Sequence, residues 1–131
     1  MRKILSVDDD LMILECFKQL LGDKGYHICT TSNPMDVPML LAQEQPDLIM
    51  LDVHMPQKDG ISLFEELKKH DRILPVLFVT AYQGVFDVSS ERMLKMWQDY
   101  FGDGNVDILY KPFKVENLYE KIEMLIGPAD A

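Results

Sequence analysis

The segment Lys3–Lys24, KILSVDDDLMILECFKQLLGDK, changes its hydrophobic period part-way along. It opens on the short apolar run Lys3–Val7 and stops at three aspartates, Asp8, Asp9 and Asp10. It continues from Leu11 to Lys24 with Ile13, Leu14, Phe17, Leu20 and Leu21 on one helical face. A strand followed by an amphipathic helix is the elementary βα unit. Gly22 and Gly25 supply the stop signals.

The same switch recurs along the chain. Further strand-like runs are Tyr26–Thr30, Asp47–Leu51, Pro75–Thr80 and Val106–Tyr110. Helical patterns follow at Pro34–Glu44, Asp59–His70, Ser90–Phe101 and Val115–Ile126. Asn33 stands as N-cap before Pro34, and Asp10 as N-cap of the first helix. Three of the runs are nearly continuously apolar, as strands covered on both faces are. Tyr26–Thr30 is more polar and reads as an edge strand. Five βα units predict an α/β fold: a doubly wound, five-stranded parallel sheet of order 2-1-3-4-5 in a flavodoxin-like three-layer sandwich. A closed barrel needs eight units and a longer chain.

The 131 residues suit one compact domain, expected over 1–127, with 128–131 as a short tail. Thirteen Lys and Arg against twenty-two Asp and Glu give a net charge of −9, which argues against direct nucleic-acid binding. No uncharged apolar stretch approaches a transmembrane length, and the N-terminal run is too short for a secretion signal, so a cytoplasmic location and no membrane partner are expected. Cys16 and Cys29 read as buried reduced thiols, and the nine Met as core filler. His27 and His70 read as surface or edge residues.

In a doubly wound sheet the ligand crevice lies beyond the carboxyl ends of the strands. Strand one is followed there by Asp8 and Asp9, strand three by Asp52, strand five by Lys111 and Pro112; strand four ends at Thr80. Three carboxylates, one hydroxyl and one amine thus converge on one edge. Carboxylates so close repel one another unless a cation joins them, and an all-oxygen set favours a hard ion such as Mg²⁺. A carboxylate beside such an ion and an ammonium can attack phosphorus, which makes this an aspartyl-phosphate site. Singly, each residue has a structural explanation, as a cap, a strand-end hydroxyl or a surface charge; five together do not.

The sequence resembles receiver domains of the response-regulator family in two-component phosphorelays. The match rests on Asp8-Asp9, on LDVHMPQKDG (Leu51–Gly60), on Thr80-Ala81 and on Lys111-Pro112-Phe113. The resemblance implies a phosphorylation-dependent signalling switch in which Asp52 accepts a phosphoryl group from a histidine kinase or phosphotransfer protein. It implies Mg²⁺ held by Asp8, Asp9, Asp52 and the backbone carbonyl of His54, with Thr80 and Lys111 on the phosphoryl oxygens, and a cis Lys111–Pro112 peptide. Such a chain catalyses only its own phosphorylation and dephosphorylation. Its output partner is unspecified, and phosphorylation-dependent pairing of two copies is open. The alternatives are a receiver cut from a larger regulator or hybrid kinase, an aspartyl-phosphate phosphatase and a constitutive scaffold. A phosphatase wants a second acid two residues after the nucleophile, where this chain has His54.

Two features depart from the family pattern. Ile108 occupies the position, three before the lysine, where an aromatic is usual; Tyr110 lies on the same face two residues later. Thr80 and Lys111 stand 31 positions apart, longer than usual. The extra residues fall within Gly84–Gly104, read as a lengthened loop at Gly84–Ser89 and a longer fourth helix. Helical period places Trp97 in the core; a partner-binding face including Phe86 is the alternative reading.

Overall fold

The computed structural model describes residues 2–52, 60–69, 73–81 and 88–130. Five strands alternate with five helices: β1 Lys3–Val7, α1 Leu11–Asp23, β2 His27–Thr31, α2 Val37–Glu44, β3 Leu48–Leu51, α3 Gly60–Lys68, β4 Val76–Ala81, α4 Val88–Phe101, β5 Val106–Lys111 and α5 Val115–Ile126. All strand pairings are parallel, in the order β2-β1-β3-β4-β5. The expected doubly wound topology is therefore the observed one. β2 is an edge strand, as its polarity suggested.

The two faces of the sheet carry separate cores, because successive strand residues point to opposite sides. Leu5, Ile49, Leu51, Val76 and Phe78 face one way and join α2, α3 and α4 through Leu41, Phe64 and Trp97. Ile4, Met50, Leu77 and Leu109 face the other way and join α1 and α5 through Phe17, Leu21, Leu118 and Ile122. Trp97 has no exposed surface; its ring lies 5.2 Å from that of Phe64 and 5.0 Å from that of Phe78. It is core and belongs to no docking face. Phe86, in the partner-face reading, lies outside the described residues, as do most of the lengthened loop and His70.

The helix ends follow local chemistry. Asp10 caps α1, its side chain accepting from the Met12 N–H at 3.0 Å. Asn33 caps in the same way, accepting from Met35, but Pro34–Asp36 forms one 3₁₀ turn before α2 begins at Val37. α1 stops in a turn closed by the Gly25 N–H on the Gly22 carbonyl, with Gly25 at φ +94°, a conformation that suits glycine. This turn holds Tyr26 N–H on the Leu21 carbonyl, so β2 begins one residue later than the polarity pattern suggests.

Two expectations need correction. Cys16 is exposed, because it lies on the outer side of α1 from Leu14, Phe17 and Leu21; Cys29 is partly buried, and both thiols are free. The methionines are not uniformly core: Met12, Met35, Met39 and Met124 are exposed. Met is a good helix former, and its flexible side chain tolerates outward positions. Among the described residues, no helix is long and apolar enough to cross a membrane.

Gly127 and Ala129 lie against the residues that lead into β1 and β2. Arg2 N–H donates to the Ala129 carbonyl at 2.8 Å, and Tyr26 Oη donates to the Gly127 carbonyl at 3.0 Å. Burial, aided by Glu123 and opposed by Arg2, holds the Tyr26 phenol above its ordinary 10.0. Above that pH the unfolded chain gives up the phenol proton while the folded chain retains it, so stability falls as pH rises. Tyr26→Phe should flatten this part of the alkaline stability slope and cost about 1 kcal/mol near neutrality. Urea midpoints measured from pH 8 to 11 check it; parallel slopes for the two proteins would count against it.

Candidate functional site

The strand ladder itself assembles the site. β1 and β3 run parallel with Val7 opposite Leu51, and the Asp52 N–H continues the pairing onto the Val7 carbonyl at 3.3 Å. On the other side the Asp8 N–H donates to the Thr31 carbonyl at 3.2 Å. Asp8 and Asp52 therefore leave neighbouring central strands at the same level. Thr80 lies in β4 beside β3, and Lys111 ends β5 opposite Ala81.

The five predicted side chains meet. Thr80 Oγ1 donates to Asp52 Oδ1 at 3.0 Å. Lys111 Nζ donates to Asp8 Oδ2 at 2.7 Å and to Asp52 Oδ2 at 3.3 Å. Carboxylate oxygens of Asp8, Asp9 and Asp52 all lie within 4.8 Å of one another. Asp8 is 2% exposed and Thr80 fully buried, whereas Asp9 is exposed and Asp52 partly buried. The Lys111–Pro112 peptide is cis. His54, the remaining expected ligand, lies outside the described residues.

Asp8 and Asp52 share the Lys111 ammonium, and the charges respond unequally. Burial raises the Asp8 carboxyl above its ordinary 3.8, and the Asp52 charge adds to this; the Lys111 hydrogen bond and the Asp10 N–H only partly offset it. Burial works against the Lys111 ammonium, but its hydrogen bond to Asp8 and the attraction of Asp52 hold it above its ordinary 10.5. Among the described residues, one ammonium meets two carboxylates, and a third carboxylate, Asp9, lies within 4.8 Å. Such a mismatch at a cleft marks a functional site. An all-oxygen set with excess negative charge suits a hard divalent cation, so these residues fit one.

One contact was not legible in sequence. The Asp10 N–H donates to Asp8 Oδ1 at 2.9 Å, so the residue that caps α1 also orients the buried acid. Asp10 caps the helix as expected, but three consecutive aspartates could not reveal which of Asp8 and Asp9 would be buried and which exposed. Strand alternation at the end of β1 decides between them.

The family pattern described as response regulator receiver domain matches residues 4–123. The chain belongs to this family. It is a receiver domain of the two-component signalling class. A probable C4-dicarboxylate response regulator, DctR of Bacillus subtilis (strain 168), is 36% identical over 123 residues, which are 92% of this chain and 50% of the relative. The response regulator MprA of Mycobacterium leprae (strain TN) is 32% identical over 124 residues, 95% of this chain and 50% of its own. Among solved structures, the N-terminal domain of the nisin resistance regulator NsrR superposes with a TM-score of 0.77 at 29% identity, covering 96% of this chain and 98% of that one. The receiver domain spans about half the length of the curated relatives it matches.

A hard divalent cation that binds only the folded receiver should raise its thermal midpoint by mass action. The gain is about 1.4 kcal/mol at a tenfold excess over Kd. Asp9→Asn changes an exposed carboxylate without touching the core and should remove most of the rise. Differential scanning fluorimetry with and without Mg²⁺ measures both; an undiminished rise in the variant would remove Asp9 from the site.

Proposed function

We propose that Asp52 accepts a phosphoryl group from the phosphohistidine of a histidine kinase or phosphotransfer protein, and that the chain relays the event as a conformational change. The observation that carries this reading is the flanking of the Asp52 carboxylate by the Thr80 hydroxyl at 3.0 Å and the Lys111 ammonium at 3.3 Å. In the transfer a carboxylate oxygen of Asp52 attacks phosphorus. An O–P bond forms as the donor's N–P bond breaks, and the electron pair returns to the imidazole nitrogen. The Lys111 ammonium and the Thr80 hydroxyl can then turn from the carboxylate to the incoming phosphoryl oxygens, which carry the greater charge.

Asp8, Asp9 and Asp52, with the carbonyl of His54, would hold Mg²⁺. When bound, it supplies positive charge that offsets the phosphoryl oxygens and the acid cluster. Asp8 is held through its backbone N–H on the Thr31 carbonyl and its carboxylate on the Asp10 N–H, and Asp9 is exposed.

The role is that of a switch, with chemistry confined to its own phosphorylation and dephosphorylation. Residues 1–127 form the functional unit, and residues 128–131 a tail. A cytoplasmic location goes with a phosphohistidine donor, and the net charge of −9 goes with a protein partner in place of nucleic acid. The output surface is the face of α4, β5 and α5, with phosphorylation-dependent pairing of two copies as one use of it. The length of the curated relatives favours a second reading, in which this receiver is one part of a larger regulator.

Intact-mass spectrometry after treatment with a small phosphodonor and Mg²⁺ tests the assignment. The wild-type protein should gain one phosphoryl group, and Asp52→Asn should gain none. A gain in the variant at an unchanged rate would sink the proposal. Multiple turnover of the donor would indicate a phosphatase, and no gain in either protein a scaffold.

A further inference from the structure

α5 carries a row of acids along one flank. Glu116, Glu120 and Glu123 stand at i, i+4 and i+7, so each carboxylate falls about one turn from the next. Other helices pair their exposed acids: Glu15 with Lys18 on α1, Glu65 with Lys68 on α3, Asp99 with Lys95 on α4. Among the described residues, no ion pair or side-chain hydrogen bond engages Glu116, Glu120 or Glu123. Lys121 is the basic residue within α5, and it turns to β5, bonded to Asp107 at 3.1 Å. Glu123 also lies in the last turn, where the helix dipole favours cations and no basic residue stands. Like charges one turn apart repel, so the row is held at a cost to the helix.

The row borders a trough. Glu116, Tyr119, Glu120, Glu123 and Met124, with Lys24 just past the end of α1, line a hollow of about 480 Å³. Lys24 and Glu123 also line a second hollow of about 490 Å³, which continues past Gly25 to Pro128 and Asp130. Apolar surface and acid lie side by side there. Met124 is 72% exposed, and the Tyr119 ring is anchored by its Oη, which donates to the Leu20 carbonyl at 3.0 Å. Against the carboxylates of Glu116, Glu120, Glu123 and Asp130 stands the Lys24 ammonium, 4.8 Å from the centre of the Tyr119 ring. The phenols beside the trough sense the excess acid. Burial, aided by Asp23, Cys16 and Glu116, holds the Tyr119 phenol above its ordinary 10.0, and Glu123 acts likewise, after burial, on Tyr26.

We propose that this trough docks a basic amphipathic helix of a partner protein, whose Lys or Arg row answers Glu116, Glu120 and Glu123 and whose apolar side covers Met124. The charge balance selects the occupant. Nucleic acid and anionic membrane surfaces carry the same sign as the row and are repelled. Two copies of this chain meeting here across a two-fold axis would set acid against acid. A basic helix relieves the repulsion within α5 and brings cations to its last turn. Its apolar side removes the exposed methionine from water, and a methionine side chain adapts readily to what covers it. None of these residues belongs to the Asp52 site, so the docking does not rest on phosphorylation.

Fluorescence anisotropy and amide shift mapping on the full chain test it with a synthetic peptide. The probe is about 15 residues long, as an isolated helix needs, with lysines at i, i+4 and i+7 beside a leucine stripe. It should shift Lys24 and Glu116–Met124 and leave Asp8, Asp52 and Thr80 unchanged. The double variant Glu120→Gln, Glu123→Gln should weaken binding about five- to tenfold, as two ion pairs are lost. Glu15→Gln with Glu65→Gln, the same change of charge elsewhere, should weaken it less than about twofold. Met124→Ser should cost about threefold or more, through lost apolar contact. Equal losses in the two double variants, shifts outside the trough or no binding by wild type would overturn the site. Shifts at the same residues with phosphatidylserine vesicles or RNA would overturn the class of partner. The Glu120→Gln, Glu123→Gln protein should melt no lower than wild type, because repulsion is removed; a lower midpoint would overturn the argument from the row.

Discussion

The Lys111 ammonium, bonded to Asp8 at 2.7 Å and Asp52 at 3.3 Å, is the contact on which the active edge depends. It joins three strands. β1 and β3 deliver the acids side by side, and β5 reaches them across β4. Without the cation, a buried Asp8 and a partly buried Asp52 would face each other across a desolvated gap. With it the edge holds together, and the Asp9 carboxylate stands close by as a third acid. The acids that serve the site are thus held at a cost to the fold, as functional groups often are.

The fold was largely legible because each βα unit announces itself twice. The apolar run marks the strand, and the change of period marks the helix. β3 and β4 are buried throughout their apolar runs, so no alternation is needed to find them. Errors concentrate where local backbone chemistry decides. The turn at Gly25 delays β2 by a residue, and Asn33 and Pro34 open a 3₁₀ turn before α2. Cys16 was misplaced for a different reason: thiols are commonly buried, but helical phase places this one opposite Phe17's face.

The acid cluster was legible because parallel strands bring their carboxyl ends to a single edge. Asp8, Asp52, Thr80 and Lys111 are distant in sequence but adjacent once the strand order is known. What sequence could not supply was the sharing of hydrogen bonds among them. The backbone of Asp10 orients Asp8, and Thr80 takes one oxygen of Asp52 while Lys111 takes the other. These choices depend on where each strand stops, to the residue.

The long fourth helix illustrates how a sequence departure is absorbed. An isoleucine at position 108 is smaller than an aromatic ring and stiff about χ1. It lies partly buried under α4, in the same cluster as Trp97 and Phe101. The aromatic mass therefore sits in α3, β4 and the C-terminal half of α4: Phe64, Phe78, Trp97, Tyr100 and Phe101. The polar tip that β5 presents to α4 is Tyr110, one residue from Lys111. Packing and hydrogen bonding, which one aromatic at position 108 could combine, are here divided between two places. The division packs the C-terminal half of α4 on aromatic rings and joins its first turn to β5 through the Tyr110–Glu91 hydrogen bond.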